Sequence, residues 1–271
     1  MEIPIYTVDA FTNLPFKGNP AAVCLLENEL KVELYQKIAA EMNLSETAFI
    51  TKLKPTEDFS SGARFGLRWF TPTHEINLCG HATLASAAVL FYKKENTNSM
   101  VTFETLSGEL LVQQRGESLV MDFPLNKPEV QVQSLKYRNA AVGELPIQEV
   151  YRRLLNNEKR TLNYNESLLK SEDSGRIISL IITVKGAPTS QPEYDFYSRN
   201  FAPWVGVPED PVTGSSHTVL AAYWSEKLGK KKMLAYQCSS RGGELELELR
   251  GDNRVDIAGR AVVLLHGILK L

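Results

Sequence analysis

At 271 residues, 43% of them hydrophobic and 23% charged, the chain has the length of about two domains of roughly 100–150 residues each and an ordinary globular composition. A formal net charge of −2 and a pI of about 6.2 exclude a dominant nucleic-acid or acidic-membrane role, which needs a clustered positive excess. Cys24, Cys79 and Cys238 are few, odd in number and far apart, so the pattern points to a reducing, cytoplasmic setting and not to a disulfide framework.

The chain opens with the strand-like MEIPIYTVDAF, which lacks a basic segment followed by a long apolar one, so no signal peptide is expected. Nowhere does an uncharged apolar run approach the roughly 20 residues of a membrane span. After AAVCLLE, another strand, Leu30, Leu34, Ile38 and Met42 recur every four residues and predict a helix. TAFI then begins a buried strand, with Glu46 at the junction. On that strand Glu46, Ala48 and Ile50 share one face and Thr47 and Phe49 the other, which sets an ionisable group among apolar walls. Burial there would push the carboxyl upward, toward a range useful for moving protons, and a charged His81 nearby would oppose it. A solvated glutamate at a strand end gives the same local pattern.

Further along, RWFTPTHEINLCGHATLASAAVLF (68–91) and RNFAPWVGVPEDPVTGSSHTVLAAYW (199–224) follow one plan. Each has an Arg, a variable residue and Phe-x-Pro, then an acidic stretch, a Gly among small polar residues, and an Ala-rich helix. TLSGELLV (105–112) is echoed by SSRGGELELEL (239–249). The offsets between Phe70 and Phe201, Gly80 and Gly214, and Gly108 and Gly243 are 131, 134 and 135 residues. A period this long marks two duplicated halves, since solenoid repeats span roughly 20–50 residues. The first repeat helix is small and apolar all the way round, as a helix enclosed by a curved sheet must be. Between the repeats, 125–175 is more polar, with helices predicted near 147–156 and 165–171. In ELELELR, leucines alternate with glutamates, so that strand has one wet face.

Each repeat leads a Gly-containing turn, LCGHATLA or VTGSSHTV, into its helix. Free backbone N–H groups and the positive end of the macrodipole make such a start an anion site. Capping by His81 or Ser215 would explain either motif alone. Two at matching places could converge on one carboxylate. Asp210, Ser215 and His217 lie too close in sequence for a nucleophilic triad, whose members normally come from separate elements. No HExxH, paired CxxC, Walker or GxGxxG motif occurs, so nucleotide and nicotinamide chemistry find no support; a metal set of His74, Cys79 and His81 is a weaker alternative.

FKGNPAAV, NLSETAFI, FTPxxE followed by CGHATLA, and EDPVTGS together resemble the phenazine-biosynthesis PhzF family, most of all its animal phenazine-biosynthesis-like domain members. The resemblance covers nearly the whole chain, although 126–170 looks shorter than in mammalian members. It implies an α+β fold like that of diaminopimelate epimerase, with two pseudo-symmetric halves, each a barrel-like curved sheet around a central helix, and a cleft between them. The halves would be 1–118, completed by the C-terminal strand at about 262–271, and 119–261. Cys79 falls where the epimerase has its first catalytic cysteine, but the second copy has none, which removes a two-cysteine mechanism. The resemblance implies an isomerase that moves a proton on a carboxylate-bearing small molecule, with no metal and no organic cofactor. Glu46 would be its acid/base, with His81 and Asp210 assisting. Gly80 and Gly214 would hold the carboxylate through backbone amides, with Ser215 and Asn19 beside them. A homodimer is implied too. The rival reading is an interaction module that binds a WD-repeat partner and keeps a vestigial pocket.

Overall fold

The computed structural model describes residues 1–128, 179–186 and 193–271. The helices expected near 147–156 and 165–171 therefore lie outside the described residues. The first half comprises β1 (Glu2–Ala10), β2 (Asn19–Leu26), α1 (Val32–Met42), β3 (Glu46–Lys52), β4 (Arg64–Phe70), β5 (Glu75–Ile76), α2 (Gly80–Ala88), β6 (Met100–Thr105), β7 (Gly108–Arg115) and β8 (Ser118–Pro124). In the second half, β9 (Leu180–Lys185), β10 (Phe196–Ala202), β11 (Val207–Asp210), α3 (Gly214–Leu228), β12 (Lys232–Gln237), β13 (Gly243–Leu249) and β14 (Arg254–Gly259) repeat the order of β3 to β8. β15 (Ala261–Lys270) closes the chain.

The duplication survives in the pairing. β4 runs parallel to β6 and antiparallel to β5, as β10 runs parallel to β12 and antiparallel to β11. The two halves do not form separate closed barrels. One curved 15-stranded sheet runs through both, joined where β8 pairs β14, and it ends at β15, which pairs β1 antiparallel.

The sheet curls round the two repeat helices, and the small side chains of α2 let it be enclosed on all sides. All nine residues of α2 are buried, and its hydroxyls cost little there because Thr83 Oγ1 and Ser86 Oγ donate to the carbonyls of Cys79 and Ala82, at 2.6 and 2.7 Å. Ala48 and Ile50 of β3 pack in the main core with α2, whereas Phe49 on the opposite face packs with Tyr35 and Ile38 of α1. β3 is therefore apolar on both faces, and Glu46 begins the one that looks toward α2.

A matched pair of charge clamps fixes the approach to each repeat helix. Arg68 donates to both oxygens of Glu75 at 2.7 and 2.8 Å, and its guanidinium lies over Tyr35 and Phe70. Arg199 repeats this with Glu209 at 2.6 and 2.8 Å, over Phe201. The planar guanidinium forks hold short β5 and β11 against their neighbours, so the chain enters each helix from a fixed position. No helix among the described residues is long and apolar enough to cross a membrane. The three cysteines are free.

Candidate active site

The halves meet at the N-termini of α2 and α3. A Cβ added to Gly80 would lie 3.4 Å from Gly214 Cα, and one added to Gly214 would lie 3.5 Å from Gly80 Cα. The two glycines therefore touch, a closer approach than two motifs facing one another across a pocket. The capping positions are Cys79 and Thr213, and neither side chain bonds a helix N–H. Capping by His81 or Ser215 is thus not what the structure contains. Two uncapped helix starts side by side concentrate N–H donors and positive potential at one point.

Beside them lies a cleft of about 150 Å³ lined by Glu46, Cys79, His81, Asn200, Asp210 and Ser215, among others. It is smaller than the concavity of about 680 Å³ on the outer face of β12–β14, which is lined by Arg115, Lys232, Glu246 and Asp256, among others, and by neither helix start.

Glu46 Oε2 lies 3.1 Å from His81 Nε2, without an aligned hydrogen bond. Ser45 Oγ also lies 3.4 Å from that nitrogen. On the other side of the ring, His81 Nδ1 is 3.2 Å from Asn19 Nδ2 and 3.4 Å from Cys79 Sγ. Asn19 has no hydrogen left for the ring, since its amide donates to Asp210 Oδ1 at 2.8 Å and to the Val212 carbonyl at 2.9 Å. His81 Nδ1 therefore pairs with the Cys79 sulfur. Asn19, fully buried, is the residue that ties the halves together at the site. Its position depends on Gly18, whose φ of +65° and contact with the Ala10 carbonyl leave no room for a side chain.

Burial is the largest single influence on Glu46 and disfavours its charge, but the His81 charge together with polar contacts from His81 and Ser45 outweighs it and holds the carboxyl below its ordinary value. Between the two opposing influences expected from the sequence, the apolar wall and a charged His81, the balance falls on the side of the carboxylate. Burial also opposes the His81 charge, yet Cys79 and Glu46 carry its pKa well above 6.5. Burial raises the Cys79 pKa, with the His81 charge acting against it. Asp210 is raised by burial despite His81, Thr213 and Asn19. One cleft thus holds two carboxyls pushed in opposite directions, an arrangement that separates a base from an acid.

The second half supports Asp210 from below. Thr213 Oγ1 donates to Asp210 Oδ2, and Gln237 Nε2 donates to the Asp210 carbonyl at 2.7 Å. His217 faces away: Nδ1 meets the Thr213 carbonyl at 2.7 Å, and Nε2 meets Ser198 Oγ at 3.4 Å. Neither ring nitrogen is hydrogen-bonded to Ser215, which is exposed and lines the cleft. His74 is exposed and bonds Thr71 and Thr73. The group able to hold a metal ion among the described residues is Glu46, Cys79 and His81, whose ligand atoms lie within 4.8 Å of one another. It does not include His74.

The sequence motifs thus converge: Asn19, Glu46, Gly80, His81, Asp210, Gly214 and Ser215 all lie at this junction. Ser45, Asn200 and Gln237 were not legible as site residues. Asn200 did leave a signal, because it stands where the first repeat has Trp69 between Arg and Phe.

A family model described as phenazine biosynthesis-like protein, PhzC-PhzF, matches residues 8–267. The human phenazine biosynthesis-like domain-containing protein is 53% identical over 288 residues, covering 99% of each chain. A protein of Halalkalibacterium halodurans named as an uncharacterised isomerase is 47% identical over 282 residues and the full length of both. Among solved structures, a PhzF-family phenazine biosynthesis protein from Enterococcus faecalis superposes with a TM-score of 0.80 at 38% identity, covering both chains entirely. A hydroxyproline epimerase from Agrobacterium vitis shares the fold alone, at 12% identity and a TM-score of 0.63 over 99% of this chain and 92% of its own. With the family model spanning nearly the whole chain and relatives matching from end to end, the chain belongs to the PhzC-PhzF phenazine biosynthesis-like family.

Proposed function

We propose that this chain is an isomerase of PhzF type that moves a proton between carbons of a small carboxylic acid. One observation carries the reading: a carboxylate held ionised, a second carboxyl held toward its neutral form and two uncapped helix N-termini share a single cleft. The isomerase names of full-length relatives support the reaction class.

The substrate carboxylate binds at the amides beginning at Gly80 and Gly214. Glu46 takes a proton from the adjacent carbon system, the double bond shifts, and Glu46, its carboxyl hydrogen exchangeable with solvent, delivers a proton to another carbon. Charge that develops on the carboxylate side during transfer meets N–H donors already oriented toward it. His81 keeps Glu46 ionised between turnovers, while Asn19 and Thr213 orient Asp210. Every step is a proton movement, so no redox or group-transfer cofactor enters.

The test is solvent-deuterium incorporation, followed by NMR, into cyclohexadiene and cyclohexene carboxylic acids in heavy water. Wild type should exchange a carbon-bound hydrogen, and Glu46→Gln should slow it by about 10²–10⁴-fold. Equal exchange by the two proteins would refute the assignment.

A further inference from the structure

The loop between β12 and β13 reaches across the junction and grips the first half. Its Arg241 places one guanidinium against three first-half acceptors. Nη2 donates to Asp9 Oδ1 at 2.7 Å and to the Lys17 carbonyl at 2.9 Å, and Nε donates to the Gly18 carbonyl at 2.8 Å. Asp9 is fully buried on β1, and its other oxygen accepts from the Phe16 N–H at 2.7 Å. Gly18 is held at its other end too, since its N–H donates to the Gly242 carbonyl at 2.7 Å.

The carbonyl that Nε grips belongs to the peptide bond joining Gly18 to Asn19. Fixing that peptide fixes where the Asn19 side chain starts, and its amide carries the constraint back across the junction to Asp210 Oδ1 and the Val212 carbonyl. The same stretch holds Asp210 from its own side. Gln237, at the end of β12, donates to the Asp210 carbonyl at 2.7 Å and accepts from the Thr213 N–H at 2.9 Å. Residues 237–242 therefore brace Asp210 twice, once directly and once through the first half. A guanidinium suits the second task because its donors lie in one rigid plane, whereas an ammonium is a point charge on a flexible stem.

The repeat shows that the loop itself does not require an arginine. With Gly243 set against Gly108, the first-half counterpart of Arg241 is Leu106, which is 64% exposed. The polar bond of that turn stays within its own half, from Ser107 Oγ to the Asn77 carbonyl at 2.7 Å. The clamp across the junction is thus a feature of the second half alone, placed where Asn19 enters the site.

We propose that Arg241 is a positioning residue for the proton transfer: it fixes the Gly18–Asn19 peptide so that the Asn19 amide holds Asp210 at a set place in the cleft. This deepens the isomerase reading and rests on it. Arg241 is not among the residues that line the cleft, so its influence passes through Asn19.

Arg241→Lys keeps a positive charge beside Asp9 but cannot span all three acceptors. Deuterium exchange into the cyclohexadiene carboxylic acids should slow in it by about tenfold or more, while KM, set by the amides at Gly80 and Gly214, stays within about twofold. In an Asn19→Ala background, where exchange is already slow, the same substitution should cost no more than about a further twofold. By NMR of the free protein, the side-chain amide signals of Asn19 should shift or broaden in Arg241→Lys, while those of Gln237 stay in place. Should that variant fold poorly, Asp9→Asn combined with Arg241→Met removes both charges together, keeps an acceptor for the Phe16 N–H, and should displace the Asn19 signals equally. Unmoved Asn19 signals, a raised KM at unchanged maximal rate, or slowing by Arg241→Lys that is equal with and without Asn19 would overturn the positioning role. Absence of exchange by wild type would overturn the isomerase reading instead, because the Asn19 signals report the coupling without any turnover.

Discussion

Replacing Glu46 by Gln removes one charge from a buried contact with almost no change of shape, and its consequences follow from the distance. Unit charges 3.1 Å apart attract by about 5 kcal/mol at an effective dielectric of 20. Burial of both groups offsets part of this, and the lack of an aligned hydrogen bond removes more, leaving a net loss of about 2 kcal/mol. The loss depends on pH in a defined way. The depressed pKa of Glu46 gives stability that is fully present above the ordinary value of 4.5 and disappears as pH falls through the folded value. The raised pKa of His81 gives stability fully present below 6.5 that disappears as pH rises through its folded value. Wild type should therefore exceed the variant most between pH 4.5 and 6.5. The margin should narrow as His81 loses its proton. Urea unfolding across this range measures the margin. Imidazole NMR of a protein with four histidines locates the His81 titration in the same samples. In the variant, His81 has lost its counter-charge while its burial persists, so it should deprotonate at lower pH than in wild type. Titration of His81 at the same pH in both proteins would refute the reasoning.

His217 should produce an acid-side loss of stability. It is buried and neutral, and burial lowers its pKa from 6.5 to about 4. Between those values the unfolded chain binds a proton that the folded one refuses, so stability should fall by roughly 3 kcal/mol as pH drops from 6.5 to 4. His217→Asn, which can still donate to the Thr213 carbonyl, should flatten that limb in unfolding curves. At Gly18, alanine would put a Cβ 2.1 Å from the Ala10 carbonyl oxygen at a φ of +65°. The cost should be about 3 kcal/mol or more. Asn19 would be displaced with it, so chemical denaturation should show the loss and proton exchange should slow in whatever remains folded. A Gly18→Ala protein of unchanged stability and activity would contradict the account of that turn.

Much of the architecture was readable in order along the chain because its signals are local or repeated. The small, apolar HATLASAA has no face that tolerates water, so it had to be the enclosed helix. The alternation in ELELELR reappears in β13, where Leu245 and Leu247 are buried and Glu244 and Glu246 exposed. The matching Phe, Gly and Gly-Glu-Leu anchors made two halves visible, and the glycines marked where each helix begins. That the halves share one continuous sheet was not readable, since strand pairing joins residues more than a hundred positions apart.

The site divides in the same way. Residue type and turn context by themselves determined which groups were available: Glu46 at a strand start, Gly80 and Gly214 at helix starts, His81 and Asp210 beside them. Only the tertiary structure decided what state those groups are in. The sequence argument set burial of Glu46 against a charged His81 without fixing the outcome, and the 3.1 Å approach of His81, with Ser45 beside it, tipped the balance toward the carboxylate. Asp210 moved the other way because its shielding from water is not matched by an equally close charge. Asn19 became the link between halves, and Asn200 an acceptor without a partner, only when residues from both halves met. Charge state and hydrogen-bond satisfaction are differences between large opposing terms. Both depend on distances of a few ångströms between groups that the chain order keeps apart.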